Sequence, residues 1–350
     1  MVKNKVVIYK AVPLGLPVPG QHLVVEAREF DLEQAPPAGG ITTKNFYASF
    51  DPYQRGRMRD PSVQSYSPAY QLGGAITSAT IARVLKSDCS KFKPADLIYG
   101  NIPNAEYASI PLQLVETCTK IENPYNLDPI YFMGPLGMPG LTAYSSLHDI
   151  GKPAKGETIF ISAASGAVGQ IVGQIAKREG LRVIGSVGSD EKLDFIIKEL
   201  NFDGGFNYKK EKPADALARL APNGLDIYYE NVGGEQLEAA LNALNNFGRI
   251  VASGMISQYN KPLPERYGIK NLYHVVTKRL TMRGFIVSDA NMGPVYIKER
   301  DENVSKWLHE GSFKAKFHIT NGIENAPEGF VGMLEGKNFG KAVLKIADIQ

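Results

Sequence analysis

A turn of small residues is the clearest sign of chemistry in this sequence, because it has the composition of a phosphate-binding loop. Gly166 and Gly169 follow an apolar, β-branched run at 158–162, and a helical apolar pattern comes after them. Small residues let the backbone approach a pyrophosphate, whose charge meets the N–H groups of a helix N-terminus. Ala164 stands where the usual Gly-x-Gly-x-x-Gly pattern has its first glycine. Such a turn also occurs for packing alone, so the nucleotide interpretation depends on the elements around it.

The end of the second strand predicts which nucleotide binds. NAD enzymes carry Asp or Glu there for the ribose 2′-OH, whereas NADP enzymes place positive charge near the 2′-phosphate. Gly188 leaves room at this strand end, and Lys192 follows within one helical turn. Tyr208 and Lys209 end the third strand beside the same corner. Asp190 is the alternative ribose ligand, but Asp is also a favoured N-cap, and we expect it to cap the next helix. We therefore predict NADP(H) rather than NAD(H).

The residue types and their spacing argue against a metal site and against a serine nucleophile. A catalytic zinc ion needs three Cys, His, Asp or Glu ligands, and a structural one usually needs four thiolates. The chain has two cysteines, and its five histidines show no metal-ligand spacing. The Gly-x-Ser-x-Gly motif that would indicate a serine hydrolase does not occur in the sequence. Tyr208 and Lys212 match the Tyr-x-x-x-Lys spacing of short-chain dehydrogenases, but they end a strand instead of lying on a long helix, so we treat the match as chance. We predict that the protein holds no metal.

Composition narrows the class of protein. The 350 residues allow two domains with full cores. The net charge of +3 is spread along the chain without a basic run, so we do not expect nucleic acid as a partner. No apolar run reaches the ~18 residues of a membrane-spanning helix, and the N-terminus lacks the apolar core of a signal peptide. Two cysteines fit a reducing compartment, and we expect a cytoplasmic protein with no membrane partner.

The patterns on either side of the glycine turn predict the domain organisation. Before residue 130, short strands broken by turn signals indicate an all-β module. After it, strand and helix patterns alternate, as in a parallel, doubly wound sheet with right-handed crossovers. Strand-like segments return near the C-terminus. We therefore expect a nucleotide domain at 130–300 to be inserted into a β domain formed by 1–129 and 301–350.

Eight motifs spread nearly from end to end carry a family resemblance. They are DPYQRGRM at 51–58, GMPGLTAY at 137–144, SAASGAVGQ at 162–170, GSDEK at 188–192, FNYK at 206–209, YENVGG at 229–234, SGMISQYN at 253–260 and GKNFGK at 336–341. With them the chain resembles the zinc-independent medium-chain dehydrogenases/reductases. The resemblance is to the leukotriene 12-hydroxydehydrogenase/prostaglandin reductase group and the NADP-dependent alkenal double-bond reductases. It implies an α/β fold in which a GroES-like β-barrel catalytic domain carries an inserted six-stranded Rossmann domain.

The resemblance also implies roles for the matching positions, with NADP(H) as cofactor. The implied cofactor contacts are Gly166, Ala167, Val168 and Gly169 for the pyrophosphate, Lys192 and Tyr208 for the 2′-phosphate, and Asn231, Ser253, Gly254, Met255, Ile256, Ser257, Tyr259, Phe285, Ile286, Val287 and Asn338 for the ribose and nicotinamide. Tyr53 and Tyr259 would face the substrate. Related reductases join two subunits at the edge of the cofactor sheet, so we expect a homodimer paired at the last strand, Leu280–Val287.

The implied reaction is NADPH-dependent reduction of the C=C bond of α,β-unsaturated aldehydes and ketones. It needs hydride at the β-carbon, stabilisation of the enolate oxygen and a proton for the α-carbon, and a zinc-free site must polarise the carbonyl with hydrogen bonds. Tyr259 is the first candidate for the phenol that does this and Tyr53 the second, although either can instead be an aromatic wall of an apolar pocket. Two alternatives stay open: a quinone reductase of the same fold, and a non-catalytic NADPH-binding protein like the lens crystallins.

Overall fold

The computed structural model describes residues 1–349, which form two units. The outer unit combines Met1–Met133 with a segment that begins at Phe317, and the inserted unit is Gly134–Lys316. The expected boundary at residues 300 and 301 differs from this division. It falls inside a helix, Gly293–His309, so the chain leaves the inserted unit only after Lys316. No helix within residues 1–349 combines the length and apolar character that crossing a bilayer requires.

The first segment of the outer unit is built mostly of strands, as its short alternating runs predict. Its elements are β1 (Val2–Tyr9), β2 (Leu23–Phe30), β3 (Ile41–Ser49), α1 (Tyr53–Arg57), β4 (Thr77–Ser87), β5 (Leu97–Pro103), β6 (Tyr107–Ile110), α2 (Leu112–Val115) and β7 (Thr119–Lys120). Strands β3, β4 and β5 are successive antiparallel neighbours, and β1 pairs with β2 in a sheet of its own. The short helix α1 directly follows β3, which places Tyr53 at the end of a buried strand.

The inserted unit alternates strands and helices. Its elements are α3 (Met138–Ser146), β8 (Thr158–Ile161), α4 (Gly169–Arg178), β9 (Arg182–Val187), α5 (Asp190–Asp194), β10 (Gly204–Asn207), α6 (Pro213–Leu220), β11 (Leu225–Glu230), α7 (Glu235–Ala243), β12 (Leu244–Ala252), α8 (His274–Thr277), β13 (Thr281–Gly284) and α9 (Gly293–His309). The strands form one sheet in the order β10-β9-β8-β11-β12-β13, and every neighbouring pair is parallel. This confirms the predicted six-stranded, doubly wound sheet, with its last strand at one edge.

The core of this sheet explains why its central strands are apolar. Ile159, Phe160 and Ile161 of β8 are fully buried, because helices cover both faces of a parallel sheet. Phe160 stacks on Tyr228 of β11 with ring centroids 5.0 Å apart. Parallel strands end at a common edge, so the loops after β8, β9, β10, β11 and β12 come together where doubly wound sheets bind their ligands.

The final segment returns to the outer unit, as the C-terminal strand pattern predicts. It comprises β14 (Phe317–Asn321), α10 (Ala326–Leu334) and β15 (Lys341–Lys345). Strand β15 pairs antiparallel with β3 and parallel with β14, so the outer sheet runs β14-β15-β3-β4-β5-β7, with β6 also paired to β3. The outer unit is therefore assembled from both ends of the chain, and the sheet of the inserted unit comes from the middle.

Candidate functional site

The turn between β8 and α4 has the bare backbone that a pyrophosphate cradle requires. Ala163 takes the left-handed conformation, with φ +49°, and its carbonyl turns back across the loop. A Cβ added at Gly166 would stand 3.0 Å from that carbonyl oxygen, and one added at Gly169 would stand 2.5 Å from it. Neither position accepts a side chain without a shift of the backbone. The turn leads directly into the positive N-terminal end of α4. Because its backbone is bare and close to that helix end, the residues present fit a dinucleotide.

The corner formed by the ends of β9 and β10 contains Tyr208 and two lysines, Lys192 and Lys209, beside the acids Asp190 and Glu191. The Tyr208 N–H donates to the carbonyl of Val187 (3.1 Å), and the Tyr208 hydroxyl lies over Gly188, where an added Cβ would stand 3.1 Å from it. Burial lowers the pKa of Lys192, and the nearby positive charge of Lys209 lowers it further. An anion at this corner would relieve that repulsion. The geometry is suited to a 2′-phosphate, as expected for NADP(H).

The prediction that Asp190 caps the next helix was wrong. The N-cap is Ser189, whose Oγ accepts the N–H of Lys192 (3.3 Å), and Asp190 is the first residue of α5. The Asp190 carboxylate accepts a hydrogen bond from Asn207 Nδ2 (2.9 Å) and forms an ion pair with Lys210. These two contacts hold the pKa of the carboxyl below its usual value. Asn207 and Lys210 thus each engage one oxygen of a carboxylate whose side chain is otherwise exposed.

Two loops at the ends of β11 and β12 carry most of the predicted ribose and nicotinamide contacts. We call them loop A (231–234) and loop B (253–259). In loop A, the Asn231 N–H donates to Ser162 Oγ (2.9 Å) and its Nδ2 donates to the carbonyl of Ser162 (2.8 Å). In loop B, the N–H groups of Ser253 and Gly254 both donate to the main-chain carbonyl of Glu230 (3.0 Å each). The structure thus brings the predicted loops together at one edge of the sheet.

Tyr259 ends loop B with its hydroxyl turned back toward the start of the loop. The phenol oxygen accepts the Met255 N–H (3.1 Å), and a Cβ added at Gly254 would stand 3.1 Å from the same oxygen. Burial raises the pKa of this phenol, and the Met255 N–H offsets part of the increase. The hydroxyl is therefore protonated at neutral pH. Because its oxygen already accepts a backbone N–H, its proton is left to be donated.

The segment Phe285–Val287 follows the last strand instead of ending it. Strand β13 spans Thr281–Gly284, shorter than the predicted Leu280–Val287. The carbonyl of Val287 accepts the N–H of Gly293 (3.0 Å), which ties this segment to the start of α9. All three residues are half-buried. They lie just beyond the sheet edge, in the position expected of residues that line a cofactor.

Tyr53 and Asn338 belong to the outer unit. Tyr53 opens α1, and burial followed by the negative charge of Asp51 raises the pKa of its phenol well above the ordinary value. Asn338 uses its side-chain amide locally, because Nδ2 donates to the carbonyl of Gly340 (2.7 Å). This contact closes the turn of the GKNFGK motif. The role of Asn338 toward the cofactor stays a prediction, as do the roles of the other site residues.

A buried ion pair that the sequence did not reveal holds the start of α1. Lys341 Nζ donates to Asp51 Oδ1 (2.8 Å) and to the carbonyl of Phe50 (2.7 Å), and both charged side chains are almost fully buried. Burial lowers the pKa of the Lys341 ammonium, and Asp51 counteracts this. The pair fixes the backbone two residues before Tyr53. Its only trace in the sequence is that Asp51 and Lys341 each stand within a family motif.

Glu230 is a second residue whose importance the sequence did not reveal. It ends the otherwise apolar strand LDIYYE and is fully buried, with an exposed fraction of 0%. Burial raises the pKa of its carboxyl, and the N–H groups of Gly233 and Val232 offset part of the increase. A charge at the end of a buried strand was the available signal.

Comparisons with known proteins agree with this geometry. A family described as the N-terminal domain of oxidoreductase matches residues 5–117, and one described as zinc-binding dehydrogenase matches residues 167–302. The chain is 55% identical over 349 residues to an NADP-dependent oxidoreductase of Cochliobolus heterostrophus, with 100% of this chain and 99% of the relative covered. It is 41% identical over 351 residues to an NADP(+)-dependent 2-alkenal reductase of Nicotiana tabacum, with 99% of this chain and 98% of the relative covered. The crystal structure of CurA from Vibrio vulnificus in complex with NADPH superposes with a TM-score of 0.87 at 34% identity, covering 99% of this chain and 100% of that one.

The description of the second matching family mentions zinc, so we asked whether side chains that could bind a metal ion lie close together in this structure. Between residues 1 and 349, no three His, Cys, Asp or Glu side chains come together as ligands of a metal ion. The two cysteines are both free thiols. The independence from metal expected from the sequence stays a prediction that a chelation experiment can test.

Proposed function

We propose that this chain, which belongs to the medium-chain dehydrogenase/reductase family and is an NADP(H)-dependent oxidoreductase, reduces the C=C bond of α,β-unsaturated aldehydes and ketones without zinc. The observation that carries the proposal is the Tyr259 phenol. It is protonated, and the Met255 N–H holds it with its proton available for donation. The identity to a plant 2-alkenal reductase supports the substrate class.

The proposed reaction divides the work between cofactor and protein. NADPH, when bound, supplies the hydride. The turn at Gly166 and Gly169 binds the pyrophosphate, and Lys192 with Tyr208 binds the 2′-phosphate. As negative charge develops on the substrate carbonyl oxygen, the Tyr259 O–H donates a hydrogen bond to it. Donors that are fixed before the reaction stabilise such charge strongly, because they need not reorganise.

Tyr53 is the second phenol of the proposal. The Lys341–Asp51 pair holds the start of its helix, and burial keeps its hydroxyl protonated. We propose that its ring faces the substrate as part of an apolar wall suited to enals and enones, with its hydroxyl as the reserve donor.

The experiment that tests the function is a steady-state survey with NADPH. Alkenals, enones, quinones and simple alcohols are compared by kcat/KM, with and without exhaustive chelation of metals. We expect enals and enones to be turned over fastest and chelation to change neither rate nor folding. Faster turnover of quinones would assign a quinone reductase instead. NADPH binding without turnover of any acceptor would indicate a non-catalytic protein.

We further propose that the protein is a cytoplasmic homodimer joined at β13. This strand is the edge of the cofactor sheet, and most of its residues are exposed. The chain just before it exposes Leu272, Tyr273 and Val276, the last with an exposed fraction of 78%. An exposed strand edge beside apolar side chains favours pairing with a second copy. Light scattering at micromolar concentration tests this, and a monomer would contradict it.

A further inference from the structure

The carboxylate of Glu230 collects hydrogen bonds from loop A. Its Oε1 accepts the N–H groups of Val232 (2.6 Å) and Gly233 (2.8 Å). The same oxygen accepts the hydroxyls of Tyr228 (2.9 Å) and Ser162 (3.3 Å) from inside the sheet. Loop A turns sharply here, since Gly233 and Gly234 have φ angles of +75° and +60°. The carboxylate gives the N–H groups of this turn an acceptor where water does not reach.

The main chain of the same residue collects hydrogen bonds from loop B. The Glu230 carbonyl accepts the N–H groups of both Ser253 and Gly254 (3.0 Å each). One residue therefore anchors the first turn of both loops, with its side chain for loop A and its backbone for loop B.

Hydrogen bonds also join loops A and B to each other, and these contacts lie next to the Tyr259 phenol. The Val232 carbonyl accepts the N–H (3.1 Å) and the Oγ (2.5 Å) of Ser257. The Asn231 carbonyl accepts the N–H of Ile256 (3.1 Å). Met255 immediately precedes these two residues, and its N–H holds the Tyr259 hydroxyl. A displacement of loop A at Val232 would thus be passed on to the position of Tyr259.

Burying a carboxyl group costs free energy, and in Glu230 only one of the two carboxyl oxygens accepts hydrogen bonds. Oε2 has no hydrogen-bond partner among residues 1–349. Tyr228 supplies a donor to the group from within β11, where its ring stacks on Phe160. If the carboxyl served only the core, an apolar residue would pack there at lower cost.

We propose that Glu230 is a positioning residue for the reaction, which braces loops A and B so that they bind the nicotinamide half of NADP(H) and present the Tyr259 hydroxyl. The inference rests on the proposed roles of these loops in the cofactor site. Glu230 itself does not touch the reacting atoms, since its carboxyl is fully buried and its donors are all internal.

Three variants test the brace. Glu230→Leu keeps the size of the side chain and removes the acceptor for loop A. Glu230→Gln keeps an acceptor oxygen. Tyr228→Phe is the matched control, because it removes one hydrogen bond from the same carboxylate and keeps the acceptor of the Val232 and Gly233 N–H groups. The measurements are NADPH affinity by quenching of protein fluorescence, hydrogen exchange of the amides in 231–259, and melting temperature. None of them needs a substrate, so their outcome is independent of whether alkenals are reduced.

We expect Glu230→Leu to weaken NADPH binding by about tenfold or more, because two buried N–H groups lose their acceptor. Exchange should accelerate in loops A and B and stay unchanged in α4. Glu230→Gln should remain within about threefold of the parent, since its carbonyl still accepts. Tyr228→Phe should lower the melting temperature without changing NADPH affinity.

Two results would overturn the proposal. One is a folded Glu230→Leu protein that binds NADPH as tightly as the parent. The other is a loss of affinity in Tyr228→Phe as large as in Glu230→Leu, which would make the effect one of general stability. If Glu230→Leu does not fold, Glu230→Asp replaces it, because its carboxylate stops one methylene short of the Val232 and Gly233 amides and the same comparison applies.

Discussion

Two acidic residues stand at the carboxyl edge of the same sheet and are built in opposite ways. Glu230 ends β11, is fully buried and accepts hydrogen bonds from two consecutive main-chain N–H groups at the start of a glycine turn. Asp190 follows β9, has a side chain that is 61% exposed and is held by two other side chains, Asn207 and Lys210. Water competes with exposed contacts and is excluded from buried ones. The buried acid can therefore fix the geometry of the nicotinamide end, whereas the exposed one adjusts the charge at the phosphate end.

The largest expected effect tests whether the Tyr259 hydroxyl, at the nicotinamide end of the site, stabilises the transition state. Tyr259→Phe keeps the ring and removes the hydroxyl, and losing one preorganised donor typically costs ~2.7–4 kcal/mol of transition-state stabilisation. Turnover of an enal should fall about a hundred- to a thousandfold while NADPH affinity barely changes. Steady-state kinetics and a binding titration measure the two quantities. If Tyr259→Phe keeps most of its turnover and only Tyr259→Ala is impaired, the residue is a wall, and Tyr53→Phe is the next variant to test.

The next effect belongs to the phosphate end. Lys192→Ala removes a charge-assisted contact that contributes ~1.5–3 kcal/mol, or roughly one to two decades of affinity. The KM for NADPH should rise by that factor, and the KM for NADH should stay nearly constant. Lys212→Ala is a suitable control. It also removes a positive charge, but from the residue before α6 and not from a predicted 2′-phosphate ligand. An equal loss with both cofactors would remove Lys192 from the 2′-phosphate site.

The pH dependence of stability distinguishes the buried acid from the exposed one. Burial raises the folded-state pKa of Glu230 above its ordinary value of 4.5, so the folded protein binds more protons than the unfolded chain just above that pH. The contribution of Glu230 to stability is therefore present at low pH and is lost as the pH rises from 4.5 toward the folded-state pKa. The slope is at most about 1.4 kcal/mol per pH unit. Melting temperatures of the parent should fall relative to Glu230→Gln as the pH rises through this window, and parallel curves would show that the pKa is not raised.

The smallest effect tests whether Asn207 and Lys210 restrain Asp190. Exposed ion pairs and hydrogen bonds are worth ~0.2–1 kcal/mol, so Asn207→Ala should lower the NADPH/NADH ratio of kcat/KM by about two- to fivefold. The reason is that the released carboxylate can repel the 2′-phosphate or accept from a ribose hydroxyl. Adding Asp190→Asn to Asn207→Ala should restore the ratio. An unchanged ratio in Asn207→Ala would show that Asp190 has no influence on cofactor choice.

Much of the inserted unit could be predicted because its signals are local. The apolar strand at 158–161, the glycine turn and the helical spacing after it lie next to one another in the sequence and fold as one unit. The six parallel strands follow from the same alternation. The boundary at residue 300 was misplaced because α9 runs on to His309 without any break in the sequence at 300.

The parts of the site that escaped prediction depend on contacts between distant residues. Ser189 and Asp190 are both good N-caps, and what decides between them is Asn207, which comes 17 positions later and engages the aspartate. Glu230 is a single charge at the end of an apolar strand, and only the folded chain shows Val232 and Gly233 turning back onto it. For the Lys341–Asp51 pair, the partners are 290 positions apart, and no local pattern joins them.

That separation has a consequence for the order in which the chain folds during its synthesis. The inserted unit is continuous and can fold once residue 316 has emerged, but the end of β3 and the Asp51 carboxylate must wait for β15 and Lys341. At 5–20 residues per second, roughly 200 residues separate Met133 from Lys341, which is a delay of about 10–40 s. Until the final segment is made, the nascent outer unit lacks β14, α10 and β15 and carries an unpaired acid destined for its core. The outer unit is therefore the part of the chain that a ribosome stalled before residue 341 would leave unfinished.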